Sequence, residues 1–306
     1  MEAGGFRLGI DEAGYGPTLG PLVVGFTRLD GPSVPLARVL AAAGEGKPTV
    51  LDSKALVTGG RGLAKLEVTA LAALQVARGT CPEGVDQLLG RQAERLGDHE
   101  WYRDLDLPLP LAAEPGRVAE AAGVLEEALE AAGCRLSVAA ASLLPAGHFN
   151  RRVAELGNKA LVEWELISRG LDRHLPAGRD GEVLCDRLGG RKRYGDLLLE
   201  RCPLTPLRIL EESRLRSRYR MLAREGTVTY GFFVGGETLE AEIALASCLA
   251  KYHREVLMVL FNRFWTSRVS ALRPTAGYPQ DARRFLREIG AERLSPSDRQ
   301  RLVRCR

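Results

Sequence analysis

Residues 9–21, Gly-Ile-Asp-Glu-Ala-Gly-Tyr-Gly-Pro-Thr-Leu-Gly-Pro, place two adjacent carboxylates between two apolar runs. Before Asp11, apolar residues alternate with other residues in the period-two pattern of a strand. The glycines and prolines after Glu12 interrupt regular structure, and a second apolar run begins at Leu22. This pattern predicts a β-hairpin over residues 5–29 with both acids at the end of its first strand.

Asp11 and Glu12 are neighbours on a strand, so their side chains leave by opposite faces unless the backbone bends. If Asp11 points inward, a buried aspartate beside glycines needs a partner, and a divalent cation can be that partner. The alternative is an ordinary turn rich in aspartate and glycine, which is the more common setting for an isolated Asp-Glu pair.

The composition is that of an ordinary globular protein. The 306 residues include 45% hydrophobic and 27% charged residues, enough to bury a full core. The net charge of +4 is mildly basic, with local clusters of lysine and arginine. Six scattered cysteines without a C-x-x-C pair and only four histidines argue against a zinc site. We expect a cytoplasmic protein with reduced thiols, because we see no signal peptide and no apolar run long enough to span a membrane.

Strand-like and helix-like segments alternate along the chain, which predicts an α/β layer fold. Leucine spacing and helix propensity predict helices over 62–78, 117–132, 158–175, 241–264 and 280–289. Apolar runs predict strands over 134–144 and 182–188. Residues 213–234 read as a second hairpin, one face of which carries four arginines, although a helix through residue 223 is the alternative. The rest of 57–116 reads as irregular, packed loop.

Further acids stand at positions suited to ligand binding. Asp186 ends the apolar run from Val183 and is followed by two glycines, a setting in which α/β folds place ligands. The alternative for Asp186 is a turn or helix cap. Glu237 follows two glycines before a long helix, and Glu240 and Glu242 lie close by. We expect Glu240 and Glu242 to be solvated at the helix N-terminus, where the helix dipole favours acids.

Several of these segments resemble motifs of the type 2 ribonucleases H, the family of ribonucleases HII and HIII. The opening stretch resembles Gly-[Ile/Ser]-Asp-Glu-[Ala/Val]-Gly, and the strand ending at Asp186 resembles the setting of the family's third acid. Residues 235–252 resemble Lys-Gly-[Asp/Glu]-x5-[Ile/Val]-Ala-x-Ala-Ser-x-[Ile/Leu]-Ala-[Lys/Arg], which places Glu237 on the fourth acid. Smaller matches follow in the family's order, at Leu51–Leu56, Asn158–Ala160, Gly277–Pro279 and Leu294–Pro296.

The resemblance implies a ribonuclease H-like α/β fold, with a central mixed sheet flanked by helices and a small helical C-terminal element. It implies a catalytic domain over residues 1–270 and a basic, helical substrate-binding element over 271–306. Residues 57–133 form an insertion within the catalytic domain that the resemblance does not place.

The resemblance also implies a metal-dependent endoribonuclease that cuts the RNA strand of RNA–DNA hybrids or of ribonucleotide-containing DNA, acting as a monomer away from membranes. Asp11 would bridge two Mg²⁺ or Mn²⁺ ions, and Glu12, Asp186 and Glu237 would complete their coordination. Phosphodiester hydrolysis by two such ions suits a set of carboxylates, because hard cations prefer oxygen ligands. The alternative is a non-catalytic or substrate-shifted nucleic-acid-binding homologue.

Residues expected to bind the substrate are Gly14, Tyr15, Gly16, Ser53, Lys54, Arg191, Lys192 and Tyr278. The cationic residues among them could bind phosphates. In the family, the matching tyrosine stacks on the sugar and the Gly-x-Gly turn recognises its 2′-hydroxyl. Tyr15 stands where ribonucleases HII have arginine, which removes a phosphate clamp. Thr275 and Ala276 also replace the basic pair that usually precedes Gly-Tyr.

Overall fold

The computed structural model describes residues 5–32, 35–38, 62–223 and 226–305, and the described residues form one seven-stranded mixed sheet. The strands are β1 (Gly5–Ala13), β2 (Leu22–Gly31), β3 (Arg135–Leu144), β4 (Gly181–Asp186), β5 (Leu207–Glu212), β6 (Arg216–Ala223) and β7 (Gly226–Phe233). The helices are α1 (Gly62–Arg78), α2 (Val85–Leu89), α3 (Pro115–Ala131), α4 (Ala146–Leu156), α5 (Lys159–His174), α6 (Gly195–Arg201), α7 (Ala241–Thr266), α8 (Pro279–Glu288) and α9 (Pro296–Leu302).

The strand order is β3-β2-β1-β4-β7-β6-β5. Strands β1, β2 and β3 form an antiparallel meander, whereas β4 runs parallel to β1 and β7 runs parallel to β4. The predicted α/β fold, a central mixed sheet flanked by helices, is confirmed. Its register pairs Ile10 of β1 with Cys185 of β4. Asp11 and Asp186, each one residue further on, therefore lie side by side where two parallel strands end.

Helix α7 covers one face of the sheet at unusually short range. A Cβ atom on Gly9 would lie 2.2 Å from the backbone of Glu242, and one on Gly25 would lie 2.0 Å from the carbonyl oxygen of Ala246. Only glycine permits this approach, and it brings the first turns of α7 close to β1 and β2. Helices α4, α5 and α6 cover the opposite face, where Phe26 and other aromatic residues form a second core.

The segment between residues 62 and 133 packs against α7. Helices α1 and α3 contact each other, and α1 also contacts β3 and α7. Trp101 lies within ring-contact distance of Phe261 and Trp265 of α7. The prediction of an irregular, packed segment after α1 is confirmed for residues 90–114, where 3₁₀ turns and loops connect α2 to α3, but it missed the short helix α2.

The hairpin predicted over 213–234 is confirmed as the antiparallel pair β6 and β7. Five described strands and helices were not anticipated: the edge strand β5 and the short helices α2, α4, α6 and α9. Strand β5 is difficult to recognise in the sequence because it is a short edge strand of mixed charges, and its three large apolar residues, Leu207, Ile209 and Leu210, do not alternate regularly with polar ones. Within the described ranges, no helix is both long and apolar enough to cross a membrane.

Candidate metal centre

Three carboxylates meet at the ends of β1 and β4. Asp11, Glu12 and Asp186 each offer one oxygen atom, and these atoms lie within 4.8 Å of one another. The Glu12 backbone N–H donates to Asp11 Oδ1 at 2.8 Å, and the Gly236 N–H donates to Asp186 Oδ1 at 2.6 Å. These backbone donors orient the two aspartates. The ends of these two strands therefore bring the three acids together in one cluster.

The two adjacent acids of β1 face different layers. Asp11 forms a hydrogen bond with Ser247 of α7, whereas Glu12 is close to Glu163 of α5. This follows from the alternation of side chains along a strand. The cluster therefore spans the end of the sheet, with α7 on one side and α5 on the other.

Burial and mutual repulsion make the ionised cluster costly. Burial first, and then the charge of Glu12, raises the pKa of Asp11 well above its usual value. Burial, followed by Glu163 and Asp186, raises the pKa of Glu12 to about 8. Such carboxylates need either protons or a cation to coexist. Because all the donors are carboxylate oxygens, the cluster fits a hard divalent cation such as Mg²⁺ or Mn²⁺.

Glu163 is a fifth acid at this place that sequence reasoning missed. Its side chain is fully buried on α5, among the apolar residues of the core beneath the sheet. It stands in helical register with Leu166, Ile167 and Gly170, all buried. An acid at a position of the apolar stripe is the signal that could have revealed it, since such positions are normally apolar.

Glu237 lies near the cluster but is not one of the three converging carboxylates. Its Oε2 atom accepts a hydrogen bond from Ser247 Oγ at 3.1 Å and contacts Lys251 Nζ at 3.2 Å. Ser247, which also bonds to Asp11, thus connects the two acids. The role of Glu237 as the fourth metal ligand stays a prediction.

The prediction that Glu240 and Glu242 are solvated is wrong for Glu242, which has no exposed surface. Its Oε1 atom accepts from Arg7 Nε at 2.7 Å and from the Leu36 N–H at 3.0 Å. Half-buried Glu240 pairs with Arg7 Nη2 at 2.9 Å. The reason is the close approach of α7 to the sheet at Gly9, which buries the start of the helix. Arg7 lies about 13 Å along β1 from Asp11, at the usual rise of a strand.

The turn after β1 is held by two buried arginines. Arg304 donates to the carbonyl oxygens of Gly14 and Tyr15, the latter at 3.3 Å. Arg254 of α7 donates to the carbonyl oxygens of Leu19 and Ala276. Neither arginine was expected in this role, because the contacts join parts of the chain that are distant in sequence.

The two tyrosines differ in exposure. Tyr15 is partly buried, and burial, followed by the charges of Glu163 and Glu12, raises its pKa. Tyr278 is 56% exposed, and its ring centroid lies 5.7 Å from the Arg254 guanidinium. The carbonyl oxygen of Gly277 accepts the N–H groups of Thr18 and Leu19. Tyr278 therefore stands on the surface beside the turn that follows β1.

The remaining predicted substrate residues lie apart or outside the described ranges. Arg191 and Lys192 occupy the loop between β4 and α6, where Lys192 is exposed and Arg191 half-buried. They follow the strand that ends at Asp186, and the Lys192 carbonyl oxygen accepts from the Ser217 hydroxyl of β6 at 2.6 Å; their role in substrate binding stays a prediction. Ser53 and Lys54 lie outside the described residues.

Metal-free protein is expected to lose stability as the pH rises from about 4.5 to about 8. The pKa values of Glu12 and Glu163 are both raised, mainly by burial, from 4.5 to about 8. The folded state therefore keeps protons in this range that the unfolded chain has released, so raising the pH favours unfolding.

Thermal unfolding in EDTA should show a lower midpoint at about pH 8.5 than at about pH 5.5. Mn²⁺ should raise the midpoint more at the higher pH, because a cation then replaces the lost protons. A midpoint in EDTA that is level or rising over this interval would contradict the prediction.

Comparison of the sequence with protein-family models finds no match, and comparison with curated proteins finds no significant match. Among solved structures, the chain is similar to one in the PCNA:RNase HII complex from Archaeoglobus fulgidus, with 16% identity and a TM-score of 0.46. That alignment covers 98% of this chain and 94% of the other. The ribonuclease H2 from Pyrococcus horikoshii OT3 aligns with 16% identity and a TM-score of 0.43, covering 96% and 92%. Bst-RNase HIII in complex with Mn²⁺ aligns with 16% identity and a TM-score of 0.41, covering 99% and 67%.

Proposed function

We propose that this protein is a divalent-metal-dependent endoribonuclease that hydrolyses the RNA strand of RNA–DNA hybrids. The observation that carries the proposal is the convergence of Asp11, Glu12 and Asp186 within 4.8 Å at the ends of two parallel strands. A buried cluster of carboxylates is costly unless cations neutralise it, so its presence favours a metal-dependent reaction. The choice of substrate rests on the resemblance of the motifs around these acids to those of type 2 ribonucleases H.

Asp11, Glu12 and Asp186 would hold the metal ions. Two bound Mg²⁺ or Mn²⁺ ions would make a water molecule nucleophilic and stabilise the leaving oxygen of a phosphodiester. Glu237, in the turn before α7, would be the fourth ligand, and Ser247 and Lys251 of α7 contact its carboxylate. Among the described residues, the three-residue cluster contains only carboxylates and no histidine or cysteine, so its side chains suit metal coordination rather than nucleophilic attack.

The residues around the cluster can bind a nucleic-acid backbone. Arg191 and Lys192 follow β4 and carry positive charge, which attracts phosphates. The glycine turn is held in place by Arg304 and Arg254, as described above, so its backbone groups are pre-positioned. Exposed Tyr278 offers an aromatic face on which a sugar or base can stack.

A cleavage assay tests the proposal directly. The protein would be incubated with an RNA–DNA hybrid, a DNA duplex that contains a single ribonucleotide, and single-stranded RNA, each with Mg²⁺, Mn²⁺ or EDTA. We expect metal-dependent cleavage of the RNA in the hybrid and none of single-stranded RNA. Binding of the hybrid without cleavage would favour the non-catalytic alternative, and cleavage of a different substrate would favour a shifted specificity.

Replacing Tyr278 by alanine should weaken cleavage at a lone ribonucleotide about tenfold and cleavage of a long hybrid less. Base or sugar stacking on an aromatic ring contributes about 1–3 kcal/mol, and a long hybrid has other contacts that compensate. Tyr15→Arg should raise activity at the lone ribonucleotide, because it adds a cation beside the turn. Equal losses on both substrates for Tyr278→Ala, with no gain for Tyr15→Arg, would show that neither tyrosine reads the junction.

A further inference from the structure

Glu163 has the properties of a carboxylate whose partner is a cation. Its side chain has no exposed surface, and neither carboxylate oxygen has a hydrogen-bond donor. It lies within hydrogen-bond reach of the Glu12 carboxylate, which is also an acceptor when ionised. Two buried carboxylates that face each other repel unless something positive lies between them.

The neighbouring cation does not neutralise this pair. Arg304 is the basic residue whose charge acts on Glu163, but its guanidinium donates to the carbonyl oxygens of Gly14 and Tyr15. It also stacks over the ring of Phe149 at 4.0 Å. Burying an ionised carboxylate without a partner costs several kcal/mol. Either a proton or a metal ion must therefore occupy the space between Glu12 and Glu163.

The position of Glu163 distinguishes it from the three converging acids. It is not among the residues whose ligand atoms all lie within 4.8 Å of one another. It approaches the cluster from α5, on the face of the sheet opposite to α7, and the side chain that it meets is Glu12. A cation between Glu12 and Glu163 would thus lie beside one held by Asp11, Glu12 and Asp186, with Glu12 common to both.

We propose that Glu163 is a metal ligand, and that Glu12 and Glu163 together hold a second divalent cation on the α5 side of the cluster. This inference rests on the proposed function, because it needs the first cation position at the same cluster. It adds to the four acids expected from the sequence a fifth that comes from a core helix.

Direct measurement of Mn²⁺ binding tests the inference without any activity assay. Free Mn²⁺ would be followed by electron paramagnetic resonance during titration of the metal-free protein and of Glu163→Gln. We expect two ions per chain in the unaltered protein and at least a tenfold loss of affinity for one of them in Glu163→Gln. Glu165→Gln is the matched control: it lies on the same helix but pairs with Arg152 and Arg169, and it should bind Mn²⁺ normally.

If Glu163→Gln fails to fold, Glu163→Leu would be measured in its place. Replacing a buried charge by an apolar side chain of similar volume usually changes stability little. Unchanged binding of both ions in either folded variant would overturn the inference and leave a carboxyl pair that only shares a proton. Binding of a single ion by the unaltered protein, lost in Asp11→Asn but not in Glu163→Gln, would also overturn it while sparing the proposed function. Absence of Mn²⁺ binding by the unaltered protein would instead contradict the proposed function itself.

Discussion

Replacing Asp11 or Asp186 by asparagine is expected to lower cleavage of an RNA–DNA hybrid at least about a thousandfold. Each change removes one negative charge from the three carboxylates that converge within 4.8 Å. Stabilisation of transition-state charge by a bound metal contributes several kcal/mol, and each tenfold loss of rate corresponds to about 1.36 kcal/mol. Initial rates with Mg²⁺ and a labelled hybrid measure the effect.

The fold should survive these changes. Asparagine keeps a carbonyl oxygen that can accept the backbone N–H groups which now bind Asp11 and Asp186. It also removes a buried charge, so thermal midpoints in EDTA should be equal to or above that of the unaltered protein. Asp196→Asn, at an exposed site in the first turn of α6, is the control and should keep full activity. Rates within tenfold of normal for both cluster variants would refute the mechanism.

Replacing Glu67 by alanine is expected to lower the free energy of unfolding by about 4 kcal/mol. The buried Glu67 carboxylate accepts the N–H groups of Leu111, Ala112 and Ala113 at 2.6, 2.7 and 2.8 Å. It also accepts the Tyr252 hydroxyl at 2.8 Å. Each buried donor left without a partner costs about 1–3 kcal/mol, partly relieved by relaxation or entry of water.

Chemical denaturation measures this change, and two variants bracket it. Glu67→Gln keeps one acceptor oxygen but turns an amide toward backbone donors, so its loss should be about half as large. Glu127→Ala, on the exposed side of α3, should change stability by no more than about 0.5 kcal/mol. A loss below 1 kcal/mol for Glu67→Ala would show that the surrounding backbone finds other partners.

Loss of the Glu67 contacts is also expected to affect the candidate metal centre. Tyr252 lies on α7 next to Lys251, which contacts the Glu237 carboxylate. Glu67 therefore connects the segment between residues 62 and 133 to the helix that supports the acids. We expect Glu67→Ala to lower hybrid cleavage as well as stability, through displacement of α7.

Much of the sheet could be predicted because its signals are local. The alternation before Asp11 and the glycines after Glu12 establish a strand and a turn within a dozen residues. The same holds for Asp186 at the end of β4 and for the hairpin of β6 and β7. Edge strand β5 was not predicted. It is short and half exposed, so its residues do not show the clear alternation of apolar and polar side chains that marks a strand.

The acids show where local information ends. Alternation along a strand is enough to send Asp11 and Glu12 to opposite faces, and the structure has them so. The local sequence predicts that Glu242 is solvated, but the residue is buried. Its burial depends on Gly9 and Gly25, which allow α7 to pack closely against the sheet. Helix propensity and the helix dipole cannot predict this packing of α7 on the sheet, because it depends on residues that are distant in sequence.

From the order of its residues alone, this chain can be assigned an α/β fold and strands that carry Asp11, Glu12 and Asp186 near their ends, where a site for hard cations is expected. Tertiary structure alone decides that these three carboxylates meet and that Glu163 joins them from a core helix. It also decides that Glu240 and Glu242 turn to Arg7 instead. The physical reason is that charge and burial act through space, between residues whose proximity arises only when parallel strands align and helices pack.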